Sequence, residues 1–164
     1  MLRRMDERAT TDLKSRLQRR EAGSVHFHLG ERGQETDTNM TGVTGMLDEY
    51  ISARGFRKIG KEWIEVDRDT ACLALESILA KDLAYKLEAM PASEAEAIAN
   101  QFVRLFSKGS RFFTNGTWHS GWQETSPITA VGPSWMAISD ATFDGGVVAF
   151  DDKSIGMIWV EDED

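Results

Sequence analysis

Residues 155–160 read Ile-Gly-Met-Ile-Trp-Val. On an extended backbone Ile155, Met157 and Trp159 point to one side and Ile158 and Val160 to the other, because side chains alternate. A strand that is apolar on both faces has to be central in its sheet or covered by helices. Residues 147–150 read as a second strand, and Asp151-Asp152-Lys153-Ser154 between the two is turn chemistry. The C-terminal hairpin therefore demands helices, and the preceding sequence supplies them.

The spacing predicts a helix capped by Asp69 or Thr70 and running to about Met90, with Leu75, Leu79, Leu83, Leu87 and Met90 as its stripe. Pro91 breaks it. Ser93 and Glu96 have capping-box spacing, and Ala95, Ile98, Ala99, Phe102, Leu105 and Phe106 then face one way until Gly109. The short connection makes these two helices an antiparallel pair. Upstream, Thr44 can cap a helix to about Arg54, with Met46, Leu47, Tyr50 and Ile51 inward. Gly55 fits a left-handed cap on which Phe56 folds back. A hairpin is expected over 56–66, turning at Gly60 and anchored by Trp63, and Asn115-Gly116 is a type I′ turn signal. Val25–Leu29 alternates as a short strand, residues 30–45 read as a loop, and residues 119–134 as a second long one. Residues 1–24 carry a net +3 with Leu2, Met5, Ala9, Leu13 and Leu17 at helical spacing. That segment reads either as a solvated terminal helix or as a basic amphipathic helix that meets a partner or a second copy of the chain.

Together these predict an α+β fold: a small mixed or antiparallel sheet from the C-terminal third packed against an antiparallel helix pair. The organisation is a basic helical arm over 1–24 and a single domain over 25–164. A chain of 164 residues buries a core of this size without staples.

Charge is distributed unevenly. Residues 112–164 hold nine carboxylates and one base, which equals the formal −8 of the whole chain, while residues 1–111 cancel. The same third holds eight of the fifteen aromatic side chains. Acid mixed with large apolar residues suggests a folded surface rather than a solvated tail. A net −8 disfavours direct binding to nucleic acid or to an anionic membrane, and favours a basic partner or simply serves solubility. One cysteine, Cys72, excludes an intrachain disulfide and fits a reducing cytoplasm. No apolar run reaches the length of a membrane span, and no apolar stretch follows Arg3 and Arg4, so no secretory signal is expected.

Motifs that carry chemistry are few. His26-x-His28 sets two imidazoles on one strand face, and His119 is the third ligand a zinc-type hydrolase would need. Asp140 and Asp144 are either an acid/base or magnesium pair, or turn residues before Gly145-Gly146. Cys72 near a helix N-terminus is either an activated thiol, with His119 as base, or a packed one. Gly42-Val43-Thr44-Gly45 lacks the lysine of a phosphate loop.

The aromatic and acidic segment remains. Loop tryptophans are candidate hot spots, and a rim of carboxylates steers a basic partner. The reading is a non-catalytic protein, with no cofactor, that neutralises a basic and possibly nucleic-acid-binding protein. Trp122, Trp135, Asp151, Asp152, Glu161, Asp162 and Glu163 are its expected contact residues. In size, charge and lack of a catalytic motif the chain is similar to immunity proteins against nuclease toxins and to small anti-defence proteins. That similarity rests on no residue motif, so no residue is carried over. The alternatives are a metal-dependent hydrolase on His26, His28 and His119, a small thiol enzyme on Cys72, or an adaptor that dimerises through residues 1–24.

Overall fold

The computed structural model describes residues 4–33, 38–120, 123–124 and 130–163, without the side chains of 4–6, 38–41, 123–124 and 130–131. Its elements are α1 (Arg4–Leu17), β1 (Ser24–Glu31), α2 (Thr38–Ser52), β2 (Ile64–Val66), α3 (Arg68–Ala80), α4 (Ala92–Val103), β3 (Arg111–Thr114), β4 (Gln123–Glu124), β5 (Ala130–Val131), β6 (Phe143–Phe150) and β7 (Ser154–Asp162). The fold is α+β. The main sheet has the order β1-β7-β6-β3-β2 and every pairing in it is antiparallel. The C-terminal third supplies β6 and β7 and most of β3, while β1 and β2 extend the sheet at its two edges. The small β4-β5 ribbon stands apart from it.

Both faces of β7 are covered, as its pattern requires. Ile158 and Val160 join Val147, Ala149 and Phe112 under α1, α3 and α4. Ile155, Met157 and Trp159 join Val148, Phe150 and Phe113 under α2 and Trp63. The helix at the N-terminus belongs to the first of these clusters, because Leu13 and Leu17 are buried in it. Two of its stripe residues thus face this chain's own core rather than solvent.

The ends of the helices explain where the structure departs from the sequence pattern. α3 stops at Ala80, ten residues short of the expected Met90. The Arg20 guanidinium donates to the carbonyls of Ile78, Leu79 and Lys81 (3.2, 3.1 and 2.7 Å), which satisfies the orphan acceptors of its last turn. Asp82 then takes the N–H groups of Ala84 and Tyr85, and Lys86 adopts φ +60°, so the chain turns away. Leu83 stays buried but Leu87 is left exposed. The N-cap of α3 is Asp67, which accepts the Thr70 N–H at 2.8 Å. Ahead of α4 no Ser93–Glu96 box forms; Pro91 sits at the N-cap without a side-chain bond. The carbonyls at and beyond its C-terminus go to Arg68, which donates to Val103, Phe106 and Ser107.

α2 begins at Thr38, inside the expected loop, with Gly42 non-helical at φ +71°. It ends as the sequence implies: Gly55 lies at φ +89°, its N–H reaches the Ser52 carbonyl and the Phe56 N–H reaches that of Ile51. The hairpin expected over 56–66 does not form. Asp48, buried, instead accepts the N–H groups of Ile59 and Gly60 and the Trp63 indole N–H, winding 60–62 into a 3₁₀ turn, and β2 pairs with β3. Asn115-Gly116 is not a hairpin turn either. Its side-chain amide donates to the carbonyls of Met136 and Asp144, and its oxygen accepts the Trp118 indole N–H. A buried asparagine that is fully bonded in this way is a structural hub.

Candidate functional site

Sequence proximity groups the C-terminal carboxylates, but the fold separates them. Asp151 and Asp152 lie in the turn before β7, and Glu161, Asp162 and Glu163 at its far end. A nine-residue strand keeps the two groups roughly 26 Å apart. They do not make one acidic face.

Two of them also do structural work. Asp162 is 1% exposed. Its two oxygens accept the two terminal nitrogens of Arg20, each at 2.8 Å, and one also takes the Leu83 N–H. A side chain so enclosed offers nothing to a partner, which corrects its expected role. Asp151 holds the β6–β7 turn: it accepts the N–H groups of Lys153 and Ser154 and ties in that of Ser107. Burial opposes its ionisation, but these three donors outweigh it and keep its carboxyl below the usual range. Asp152 is exposed at that end. Trp122 lies outside the described residues. Trp135 is half-buried, stacked obliquely between Trp118 and Phe143 at 5.1 and 5.4 Å.

The pairings of β7 with β1 and β6 bring the remaining groups together. Glu161 stands opposite Ser24 on one side and Asp144 on the other, and His26 opposite Trp159. Residues 54–57, just past α2, and the segment 138–141 complete a cleft of about 680 Å³ there. Asp140 on one rim is paired with Arg57, which also donates to the Ser139 carbonyl. Glu163 accepts the hydroxyl of Thr142 at 2.7 Å and its N–H at 3.3 Å. His26 Nε2 lies 3.3 Å from Glu161 Oε1, within ion-pair distance but without hydrogen-bond alignment. The imidazole stands edge-on to Phe56, ring centres 5.3 Å apart. Arg54 lies over the Tyr50 ring at 3.6 Å. Burial pushes the Tyr50 hydroxyl up to about 12, so it stays neutral.

The catalytic alternatives lose their geometry. His26 and His28 share a strand face with Trp159 and Met157, on the α2 side of the sheet. His119 sits on the turn Trp118–Ser120, which packs by Trp118 into the cluster on the opposite side. Among the described residues no group of three or more His, Cys, Asp or Glu is placed to hold a metal ion. Burial, with Arg54, His26 and Lys14 adding to it, holds His28 below its ordinary value. Asp140 and Asp144 diverge: the first is in solvent and the second fully buried. Asp144 accepts the N–H groups of Ile138 and Ser139, the Ser139 hydroxyl and the Asn115 amide, so it shapes the 138–144 segment. Burial raises its pKa against the pull of these bonds. Gly145 and Gly146 are not a reversal but part of β6, where the Trp118 indole and the Ile158 carbonyl leave no room for a Cβ. The Cys72 thiol is pushed up by burial and then by Glu76, Asp69 and Glu96, the reverse of activation.

Arg54 and Arg57 have no binding role in the sequence pattern, Phe56 is expected there only to fold back on the α2 cap, and Asp140 only as an acid/base, magnesium or turn residue. A signal was present: a glycine cap after α2 throws the flanking arginines to one spot. Compared with protein-family models, curated proteins and solved structures, the chain matches none.

Proposed function

We propose that this chain is a non-catalytic binding protein whose recognition surface is the cleft at the Asp162 end of the sheet. The partner is a basic protein, and the class of action is inhibition or neutralisation, as in immunity or anti-defence proteins. One observation carries the reading: the surface carboxylates Asp140, Glu161 and Glu163 sit around one cleft, Asp140 ion-paired with Arg57, Glu163 accepting the Thr142 hydroxyl and Glu161 beside His26. Carboxylates held before docking lose less side-chain freedom on binding, and their field steers a cationic surface. Arg54 and Arg57 interleave with them, so the complementary surface carries at least one carboxylate among its bases. Such alternation rejects partners of uniform charge. A cytoplasmic setting goes with this reading. No helix among the described residues is long and apolar enough to cross a membrane.

Affinity capture with the immobilised wild-type chain and with an Asp140→Lys, Glu161→Lys, Glu163→Lys bait tests this. A basic protein retained by the first and lost from the second is the expected result. Equal retention by both baits refutes the site, and a retained partner that is acidic refutes the reading itself.

A further inference from the structure

Among the described residues strand β1 is an edge, bonded on one side to β7. The register is unbroken over eight residues, from Ser24 opposite Glu161 to Glu31 opposite Ser154. Beyond it the Arg32 N–H bonds the carbonyl of Lys153, the residue opposite, at 2.8 Å. Bonded pairs alternate along an antiparallel ladder. His26 and His28 therefore bond β7 through their backbone, while the N–H and C=O groups of Val25, Phe27 and Leu29 aim away from it. Soluble proteins blunt such an edge with lysine, proline or a bulge. Within 24–31 there is no lysine, no proline and no break in register.

We propose that β1 pairs antiparallel with β1 of a second copy, about a two-fold axis through Phe27, joining two five-stranded sheets into one of ten. The occupant follows from the sequence of the edge, Val25-His26-Phe27-His28-Leu29, which repeats its pattern when read backwards. With Phe27 opposite Phe27 of the partner subunit, Val25 meets Leu29 of the partner subunit and His26 meets His28 of the partner subunit. Outward-bonding residues then face each other on both strands, as an isologous pair requires. Charge agrees as well. A groove of about 370 Å³ runs between α1 and this edge, with Leu17, Val25 and Phe27 as its apolar part and Lys14 and Gln18 at its rim. The same register sets Leu29 and Glu31 of the partner subunit opposite Val25 and Gly23, bringing an apolar side chain to the apolar part and a carboxylate towards Lys14. This is strand addition, in which main-chain bonds give affinity and the flanking pocket gives register. It moves the self-association surface from the α1 stripe, where Leu13 and Leu17 are buried, to the neighbouring strand. It does not depend on the partner-binding reading.

Sedimentation equilibrium of the full chain should show a mass rising with concentration from 18.4 kDa to twice that value. Amide exchange should show strand addition at this edge: Val25, Phe27 and Leu29 slow down as concentration rises, while His26, His28 and the β2 edge (Ile64–Val66) do not change. Val25→Pro removes one outward N–H and spares the ladder to β7, a placement edge strands tolerate. The variant should remain at 18.4 kDa with an unchanged circular dichroism spectrum. Should the variant fail to fold, the wild-type exchange pattern decides. A chain that stays at 18.4 kDa at its highest soluble concentration overturns the proposal, as does a folded Val25→Pro that still doubles its mass.

Discussion

Replacing Asp162 by Asn changes one charge and almost no volume, yet it should be among the most damaging substitutions in the chain. Both side chains of the Arg20–Asp162 pair are essentially solvent-free, at 0% and 1% exposure. Asparagine would leave the guanidinium buried without a counter-ion. Breaking a buried pair from one side costs about 3–5 kcal/mol. For a domain of this size that is a fall in Tm of roughly 6–20 °C. Removing both charges, as in Arg20→Met with Asp162→Leu, often restores stability when an ion pair does nothing else. Here it should not. Arg20 also satisfies the carbonyls of Ile78, Leu79 and Lys81, and Asp162 the Leu83 N–H. Each buried group left unpaired costs about 1–3 kcal/mol, so the double variant should remain at least about 2 kcal/mol below wild type. Urea unfolding of the three proteins measures both quantities. A loss under about 1 kcal/mol for Asp162→Asn would refute the buried ion pair, and a double variant as stable as wild type would refute the assignment of Arg20 as the cap of α3.

Gly145→Ala would set a Cβ 2.5 Å from the Trp118 indole, which is itself bonded to Asn115, so neither ring nor strand can yield freely. Thermal unfolding should register a loss of about 1–3 kcal/mol, and a neutral result would mean the indole is not fixed there. Asp151→Asn should destabilise by about 1 kcal/mol at neutral pH, since it weakens the bonds from Ser107, Lys153 and Ser154. The native carboxyl lies below its unfolded value, so its stabilisation is complete above a pH of about 3.9 and is lost as pH falls through the native pKa. The two proteins should therefore converge in stability in acid, and a gap that widens on acidification would contradict the sign.

Local signals were legible wherever neighbours in sequence are neighbours in space. The Gly55-Phe56 cap, the alternation of β1 and the two-faced pattern of β7 each need only a few residues, and each formed. The over-long α3 shows the limit of periodicity. Leu83 and Leu87 keep helical spacing, but the Arg20 cap that ends the helix comes from a residue about sixty positions away. Asp162 was misread for the same reason, since its partner lies 142 residues upstream. The acidic third looked like one surface because its residues are close in sequence. A hairpin strand puts such residues at opposite ends, and a carboxylate count carries no such geometry. The cleft gathers residues 54–57 after α2, His26 of β1, the 138–141 segment and the end of β7, which only the folded sheet brings together.

Once the captured partner is in hand, stopped-flow association across a salt series tests the central claim most directly, by comparing charge reversal at the two ends of β7. Glu161→Lys with Glu163→Lys should slow association by about tenfold or more at low salt and flatten its salt dependence, while Asp152→Lys at the other end should leave both near wild type. Equal effects at both ends, or an effect of Asp152→Lys alone, would contradict the account.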